Sequence, residues 1–133
     1  MSPIDSIGGG VTQQLLGLAL DGSMSRQAAI ATNIANAETP GYQPLAARFD
    51  DLVQQLRAVV SDRAHDSDTR QLIGTLSRTL DTEPLKVEAG ASKVEVDMQM
   101  GALAKNNLQY QALIAAQNQL LSIEQLVIGD KGG

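Results

Sequence analysis

The sequence predicts a mainly α-helical protein in which two long helices, one near each end, pair as a coiled-coil-like hairpin around a small central segment. Two stretches keep the three-and-four spacing of apolar residues that is typical of amphipathic helices. Apolar residues make up 43% of the 133 residues, yet the aromatic residues number only three, Phe49, Tyr42 and Tyr110. Burial must therefore come mainly from aliphatic side chains and alanine, which suits packed helices.

The charged residues are concentrated in the middle of the chain. Residues 38–99 hold 18 of the 25 charged residues, and Gln, Asn, Ser and Ala fill the polar and small positions of the two ends. A solvated helix face usually carries Glu and Lys, whereas an uncharged face can be buried without isolating a charge. Both predicted terminal helices are therefore expected to be buried against other helices.

The first long helix is predicted over residues 11–37. Residues 1–10 contain three consecutive glycines, which make helix nucleation costly, and are predicted to be a flexible leader. The apolar positions of the helix from Val11 onward recur at helical spacing. Five of them are candidates for helix packing: Leu16, Leu20, Met24, Ala31 and Ile34.

The first helix is predicted to end against a tight turn. Pro40 disfavours a helical conformation at Thr39, and the sequence Thr39-Pro40-Gly41-Tyr42 has Pro and Gly at the positions that a type II turn favours. The chain is therefore expected to reverse or bend there. Tyr42 then offers a ring to pack and a hydroxyl to hydrogen-bond.

The central segment, residues 38–97, is predicted to contain one or two helices and an extended stretch. Apolar spacing predicts a helix over about 46–63, followed by a loop at 61–68 and a short helix around 72–80 that ends before Pro84. Alternating valines predict an extended conformation from Leu85 to Asp97, interrupted by the sequence AGAS at 89–92.

The second long helix is predicted over residues 98–129, with a tail at 130–133. Amides interrupt its apolar row, and such amides cost stability but can specify register and partner. Read in heptads, the row is Met100, Leu103, Asn107, Tyr110, Ile114, Gln117, Leu121, Glu124 and Ile128.

The sequence contains no recognisable catalytic or cofactor motif. It has no phosphate loop, nucleophile elbow, dinucleotide fingerprint or pair of metal-binding histidines, so no catalytic residue, metal or cofactor is assigned. His65 lies among Asp62, Asp66 and Asp68, a pattern more typical of a solvated acidic loop than of a metal site. A net charge of -5 with few aromatic residues argues against nucleic-acid binding.

Targeting signals are also not recognised. The N-terminus lacks a basic region followed by an apolar run, so no cleavable signal peptide is expected, and no run of about 18 apolar residues predicts a membrane span. The absence of cysteine leaves the redox compartment undetermined.

Two segments resemble a known family, the bacterial flagellar axial proteins of the rod and hook group. Residues 33–42, NIANAETPGY, resemble the N-terminal signature in which a helix runs into an Asn-x-x-Thr-Pro-Gly-Tyr turn. Residues 96–113, VDMQMGALAKNNLQYQAL, look like the C-terminal segment of a proximal rod member. The matching positions are Asn33, Ala35, Asn36, Thr39, Pro40, Gly41 and Tyr42 in the first segment and Asp97, Met100, Asn107, Tyr110 and Gln111 in the second. Gln99 and Pro44 depart from the family pattern.

The resemblance implies a structural, non-enzymatic subunit of the flagellar basal-body rod in the periplasm. It implies assembly with copies of itself and with other rod and basal-body proteins, and transmission of torque. It also implies export by the flagellar type III apparatus without signal cleavage.

Two alternatives to a proximal rod subunit of this type remain. The first is a sister proximal rod protein, which shares the turn signature and is distinguished by the segment KNNLQYQAL at 105–113. The second is a helical adaptor unrelated to flagella, which would be a stable monomer.

Overall fold

Two long antiparallel helices form the body of the protein, with a smaller middle part packed against them. The computed structural model describes residues 9–51, 53–54, 66–91 and 93–132. The elements are α1 (Gly9–Ala35), β1 (Leu45–Ala47), α2 (Asp66–Thr82), β2 (Leu85–Val87) and α3 (Val96–Gly132). The predicted fold class, mainly α with long terminal helices packed on each other, is confirmed.

The turn after α1 has the predicted type II geometry. The backbone amide of Tyr42 donates to the carbonyl of Thr39 at 3.2 Å. Gly41 has a φ of 74°, which an L residue with a side chain rarely adopts. The helix ends at Ala35, slightly before the predicted end, because the backbone already forms tight turns from Asn36 onward.

The returning chain forms a two-stranded antiparallel sheet that the sequence did not predict. Ala46 of β1 is paired with Lys86 of β2. A hydrogen bond on each side extends the pairing: the Glu88 amide donates to the carbonyl of Pro44 at 2.8 Å, and the Arg48 amide donates to that of Pro84 at 2.9 Å. The predicted helix over about 46–63 therefore begins later, and residues 48–51 and 53–54 are helical. The rest of that prediction lies outside the described residues.

The bounds of α2 and β2 also differ from the predictions. Residues 66–68, predicted as loop, already belong to α2. The extended stretch predicted over 85–97 is limited to the three residues of β2, because Gly90 turns the chain with a φ of 78° and α3 begins at Val96. Asp97 in the first turn of α3 favours this earlier start, since a carboxylate stabilises a helix N-terminus.

α1 begins before its predicted start, and α3 extends beyond its predicted end. Gly9 and Gly10, predicted as leader, are helical, and so are residues 130–132, predicted as tail. Once a helix is nucleated, each further residue adds a hydrogen bond at little cost, so apolar periodicity alone underestimates helix length. The leader at 1–8 lies outside the described residues.

The apolar core lies where α1, α2 and the helical residues after β1 meet. Its buried members are Leu18, Phe49, Ile73 and Leu76, and the side chain of Leu76 is fully enclosed. Partly buried residues surround them: Val11, Leu15, Val53, Leu72 and Leu80. Phe49 is the one aromatic residue of this core, and it contacts α1 at a glycine.

Gly22 allows the Phe49 ring to lie directly against the α1 backbone. A Cβ at this position would lie 2.3 Å from Cδ1 of Phe49, well inside van der Waals contact. At Gly17, also in α1, a Cβ would meet nothing within 4 Å. The two helical glycines therefore differ: Gly22 makes space for packing, whereas Gly17 only lowers helix propensity.

Replacing Gly22 with alanine is expected to destabilise the protein by about 1–3 kcal/mol, because Phe49 must move out of its position. The matched variant Gly17→Ala is expected to stabilise by up to about 1 kcal/mol, since alanine favours helix and has room there. Urea unfolding followed by circular dichroism measures both. Equal effects of the two substitutions would show that the ring contact does not constrain Gly22.

Candidate functional site

A buried asparagine near the end of α1 binds the chain that returns from the turn. Asn33 is 2% exposed. Its Nδ2 donates to the carbonyl oxygen of Leu45 at 3.0 Å, and its Oδ1 accepts from the Leu45 amide at 2.8 Å. The side chain thus pairs with both backbone groups of one residue, as a neighbouring strand would.

The same carboxamide contacts two further side chains. Its Oδ1 accepts a hydrogen bond of 2.6 Å from the Tyr42 hydroxyl, and its Nδ2 lies 3.4 Å from Oε1 of Gln99 in α3. Burial raises the pKa of the Tyr42 hydroxyl, so this donor remains protonated beyond the usual range of tyrosine. Gln99, which departs from the family pattern, therefore joins the contact between α1 and α3, and Pro44, the other departure, is buried.

Asn36 performs a different role from Asn33, because it closes the C-terminus of α1. Its Nδ2 donates to the carbonyl of Thr32 at 2.9 Å. Its Oδ1 accepts from the Thr39 hydroxyl at 3.2 Å, and its carbonyl accepts from the Thr39 amide at 3.0 Å. The Thr32 carbonyl thus accepts from both the backbone amide and the side chain of Asn36, and the other two bonds hold Thr39 at the start of the turn.

A second buried asparagine, Asn106, joins α3 to the middle of α1. It is 1% exposed. Its Oδ1 accepts from the Ser23 hydroxyl at 2.9 Å and from Nη1 of Arg26 at 3.0 Å, and its Nδ2 donates to the Ser23 carbonyl at 3.0 Å. We call Ser23, Arg26 and Asn106 the Asn106 cluster.

Arg26 connects this cluster to the middle part of the chain. Its guanidinium forms an ion pair with Asp50, and Nη1 also lies 3.3 Å from Oε1 of Gln109. One side chain therefore contacts α3 and the helical residues after β1. No sequence pattern predicted a role for Ser23, Arg26 or Asn106. Arg26 could have been noticed, because it is the only basic residue before Arg48.

Near the other end of the helix pair, Gln13 of α1 contacts Glu124 of α3. Nε2 of Gln13 donates to Oε2 of Glu124 at 2.8 Å. The other carboxylate oxygen of Glu124 is buried and has no hydrogen-bond partner among the described residues. This contact and those of Asn33 and Asn106 show that polar groups occur along the full length of the pair.

The face of α3 that packs on α1 differs from the predicted row at every second position. Asn106 is buried, whereas Asn107 is exposed, so the predicted row is displaced by one residue at this position. The helix turns about 100° per residue, which moves such a position off the contact face. The residues on the observed face are Gln99, Leu103, Asn106, Tyr110, Leu113, Gln117, Leu120, Glu124 and Val127.

A second row with the same spacing runs along α3 and contains no charged residue. We call it the outer row. All its members are exposed except Ile114, which is half-buried. It consists of Met100, Ala104, Asn107, Gln111, Ile114, Asn118, Leu121, Gln125 and Ile128.

The remaining residues selected from the sequence fall into two groups. In α1, Leu20 is buried and Leu16 and Ile34 are half-buried, whereas Met24 and Ala31 are exposed. In the turn signature, hydrogen bonds join Asn33, Asn36, Thr39 and Tyr42, and Gly41 provides the positive φ of the turn. Ala35 and Pro40 are exposed and have no such role, and Asp97 of α3 is also exposed.

The described residues provide no group of three or more His, Cys, Asp or Glu side chains able to hold a metal ion. His65 and the side chains of Asp62, Asp66 and Asp68 lie outside what the structure describes. Within the described ranges, no helix is both long and apolar enough to cross a membrane.

The turn and the helix before it match a known family. Residues 19–43 match the family described as flagella basal body rod protein. They include Ser23, Arg26, Asn33 and the whole type II turn. Together with the similarity of nearly the whole chain to curated relatives, this match shows that the chain belongs to the family of flagellar basal-body rod proteins.

Two relatives carry the same name. The chain is 31% identical over 129 residues to flagellar basal body rod protein FlgB of Bacillus subtilis (strain 168), an alignment that covers 90% of this chain and 95% of the relative. It is 32% identical over 100 residues to flagellar basal body rod protein FlgB of Proteus mirabilis (strain HI4320), covering 65% of this chain and 71% of that protein.

Replacing Asn33 with alanine is expected to lower the free energy of unfolding by at least about 2 kcal/mol. The change leaves both backbone groups of Leu45 and the Tyr42 hydroxyl without this partner, and a buried unpaired group costs about 1–3 kcal/mol. Asn107→Ala, an exposed amide, should change it by no more than about 0.5 kcal/mol. Chemical unfolding compares the two variants, and similar losses would contradict the role assigned to Asn33.

The hydrogen bond from Tyr42 predicts a pH dependence at the alkaline end. Because burial raises the folded-state pKa of Tyr42, its contribution to stability is complete below the unfolded-state pKa of about 10 and is lost as pH rises through the folded-state value. The stability of Tyr42→Phe should decline less over the same range. Unfolding measured at increasing alkaline pH tests this, and parallel curves for the two proteins would contradict it.

Proposed function

We propose that this chain is a structural subunit of the proximal part of the flagellar basal-body rod, where it packs against copies of itself and other basal-body proteins and transmits torque. Family membership supports the placement in a basal-body rod. The resemblance of residues 96–113 to a proximal rod member supports the finer position.

The observation that carries the assembly proposal is the outer row of α3. Met100 is 51% exposed, Leu121 43% and Ile128 60%. Exposed apolar residues that recur along one face of a helix are typical of interaction surfaces, and amides between them can pair with amides or backbone groups of a neighbouring helix. The row therefore offers a second helix-packing face while the first face is occupied by α1.

The uncharged character of this face fits repeated packing between like subunits. A charge buried at such a contact would require a partner of opposite sign in every neighbour, because an unpaired buried charge is strongly destabilising. Apolar and amide groups avoid that requirement. Head-to-tail contacts through such faces would propagate an open helical array and distribute torque over many interfaces.

The proposed location is the periplasmic section of the basal body, reached through the flagellar type III export apparatus without cleavage of a signal peptide. The support for this is the resemblance of residues 33–42 and 96–113 to flagellar axial proteins. The proposal assigns no catalytic residue, cofactor, small-molecule substrate or nucleic acid to the chain.

The function is tested in a strain that lacks the encoding gene. The wild-type chain is expected to restore motility and the rod in images of purified basal bodies, whereas Leu121→Asp, which places a carboxylate in the outer row, should not. The matched variant Ser122→Asp, exposed but outside the row, should restore both. Each purified variant should keep its unfolding free energy within about 0.5 kcal/mol of wild type, because these positions are exposed.

Intact rods in the deletion strain would contradict the proposed function. Rods restored equally by Leu121→Asp and by wild type would leave the rod assignment in place but remove the outer row as the packing face. Failure of Ser122→Asp would show that assembly depends on more of the α3 surface than this row.

A further inference from the structure

The Asn106 cluster lies in the middle of the contact between α1 and α3, with Leu103 before it and Tyr110 and Leu113 after it on the α3 face. On the α3 face, Leu113 and Leu120 lie seven residues apart, at the same heptad position as Asn106. Leucines spaced in this way interdigitate in more than one axial position, since a shift of one heptad replaces one leucine by the next. Apolar packing alone therefore selects the axial register weakly.

The polar groups of the cluster are directional, and Ser23 and Asn106 are almost fully buried, while the Arg26 side chain is 29% exposed. Asn106 uses both ends of its carboxamide, accepting from Ser23 and Arg26 and donating to the backbone carbonyl of Ser23. Ser23 is 2% exposed, so water does not replace these bonds. The arrangement is satisfied in one axial position of the helices.

A shift of one heptad would separate these groups. Asn106 would then lie opposite Ile30 in one direction or Leu16 in the other, seven residues from Ser23 on either side, and both are apolar. The carboxamide would be buried without a partner, which is costly for a polar group. Arg26 would lose Asn106, while its ion pair with Asp50 keeps the guanidinium in place.

We infer that Asn106, held by Ser23 and Arg26, sets the axial register of α1 against α3. Asn106 acts as a positioning residue: it selects one alignment of two helices whose apolar contacts permit several. Its ion-paired partner Arg26 links that alignment to the helical residues after β1. This inference concerns the isolated chain and does not depend on the proposed function.

Distances between spin labels on the two helices test the inference. The chain has no cysteine, so cysteines introduced at the exposed positions Gln27 and Gln119 give a single labelled pair. These positions lie about 20 Å apart along the axis, and a slip of one heptad moves one label by about 10 Å, given a rise of 1.5 Å per residue. Pulsed electron paramagnetic resonance resolves such a change.

Asn106→Leu is expected to keep the helical circular dichroism signal but to broaden or split the single wild-type distance. Gln117→Leu is the matched control: Gln117 lies on the same face, and its side chain makes no hydrogen bond within the described part of the chain. It should leave the distance unchanged.

Several results would overturn the inference. One is a single unchanged distance in Asn106→Leu, and another is a broad distribution in the wild-type chain. Loss of helix in Asn106→Leu would show that the cluster maintains the fold rather than selecting its register. A split distance in Gln117→Leu would show that any polar position on this face has the same effect.

Discussion

The pairing of the Asn33 carboxamide with the backbone of Leu45 is the contact on which the middle of this protein depends. It fixes the chain that leaves the type II turn against α1, so β1 begins there and β2 can pair with it. Phe49 then follows β1 at a distance that brings its ring onto Gly22. The Asn33 side chain pairs with Leu45 as a neighbouring strand would, and it stabilises this position because it satisfies two buried backbone groups at once.

Amide side chains make most of the hydrogen bonds between α1 and α3. Asn33 and Asn106 are nearly fully buried. A carboxylate or ammonium group in such a position would need an opposite charge and further hydrogen bonds. A neutral amide offers both donors and acceptors at a lower desolvation cost. The low charge of both ends of the sequence therefore has a structural basis within one subunit, in addition to the assembly role that we propose.

The local features of the fold were predictable, and the contacts between distant segments were not. Helix periodicity gave both long helices, and the conformational limits of Pro40 and Gly41 gave the turn. The strand at Leu45–Ala47 was missed because a three-residue strand has too few residues to show alternation, and it is held by Asn33 and β2 rather than by its own propensity. Arg26 was missed because its partners are up to 83 residues away.

By itself, the sequence determined that α3 is a long helix with few charged residues and with apolar and amide rows at heptad spacing. It also determined that Asn33 lies just before a forced turn. Only the tertiary structure decided which row faces α1. The row through Asn106 and the row through Asn107 have the same period, so hydrophobic pattern cannot rank them. Ser23 and Arg26 can pair with the first of these amides, and that contact between residues far apart in the chain is what distinguishes two otherwise equivalent faces.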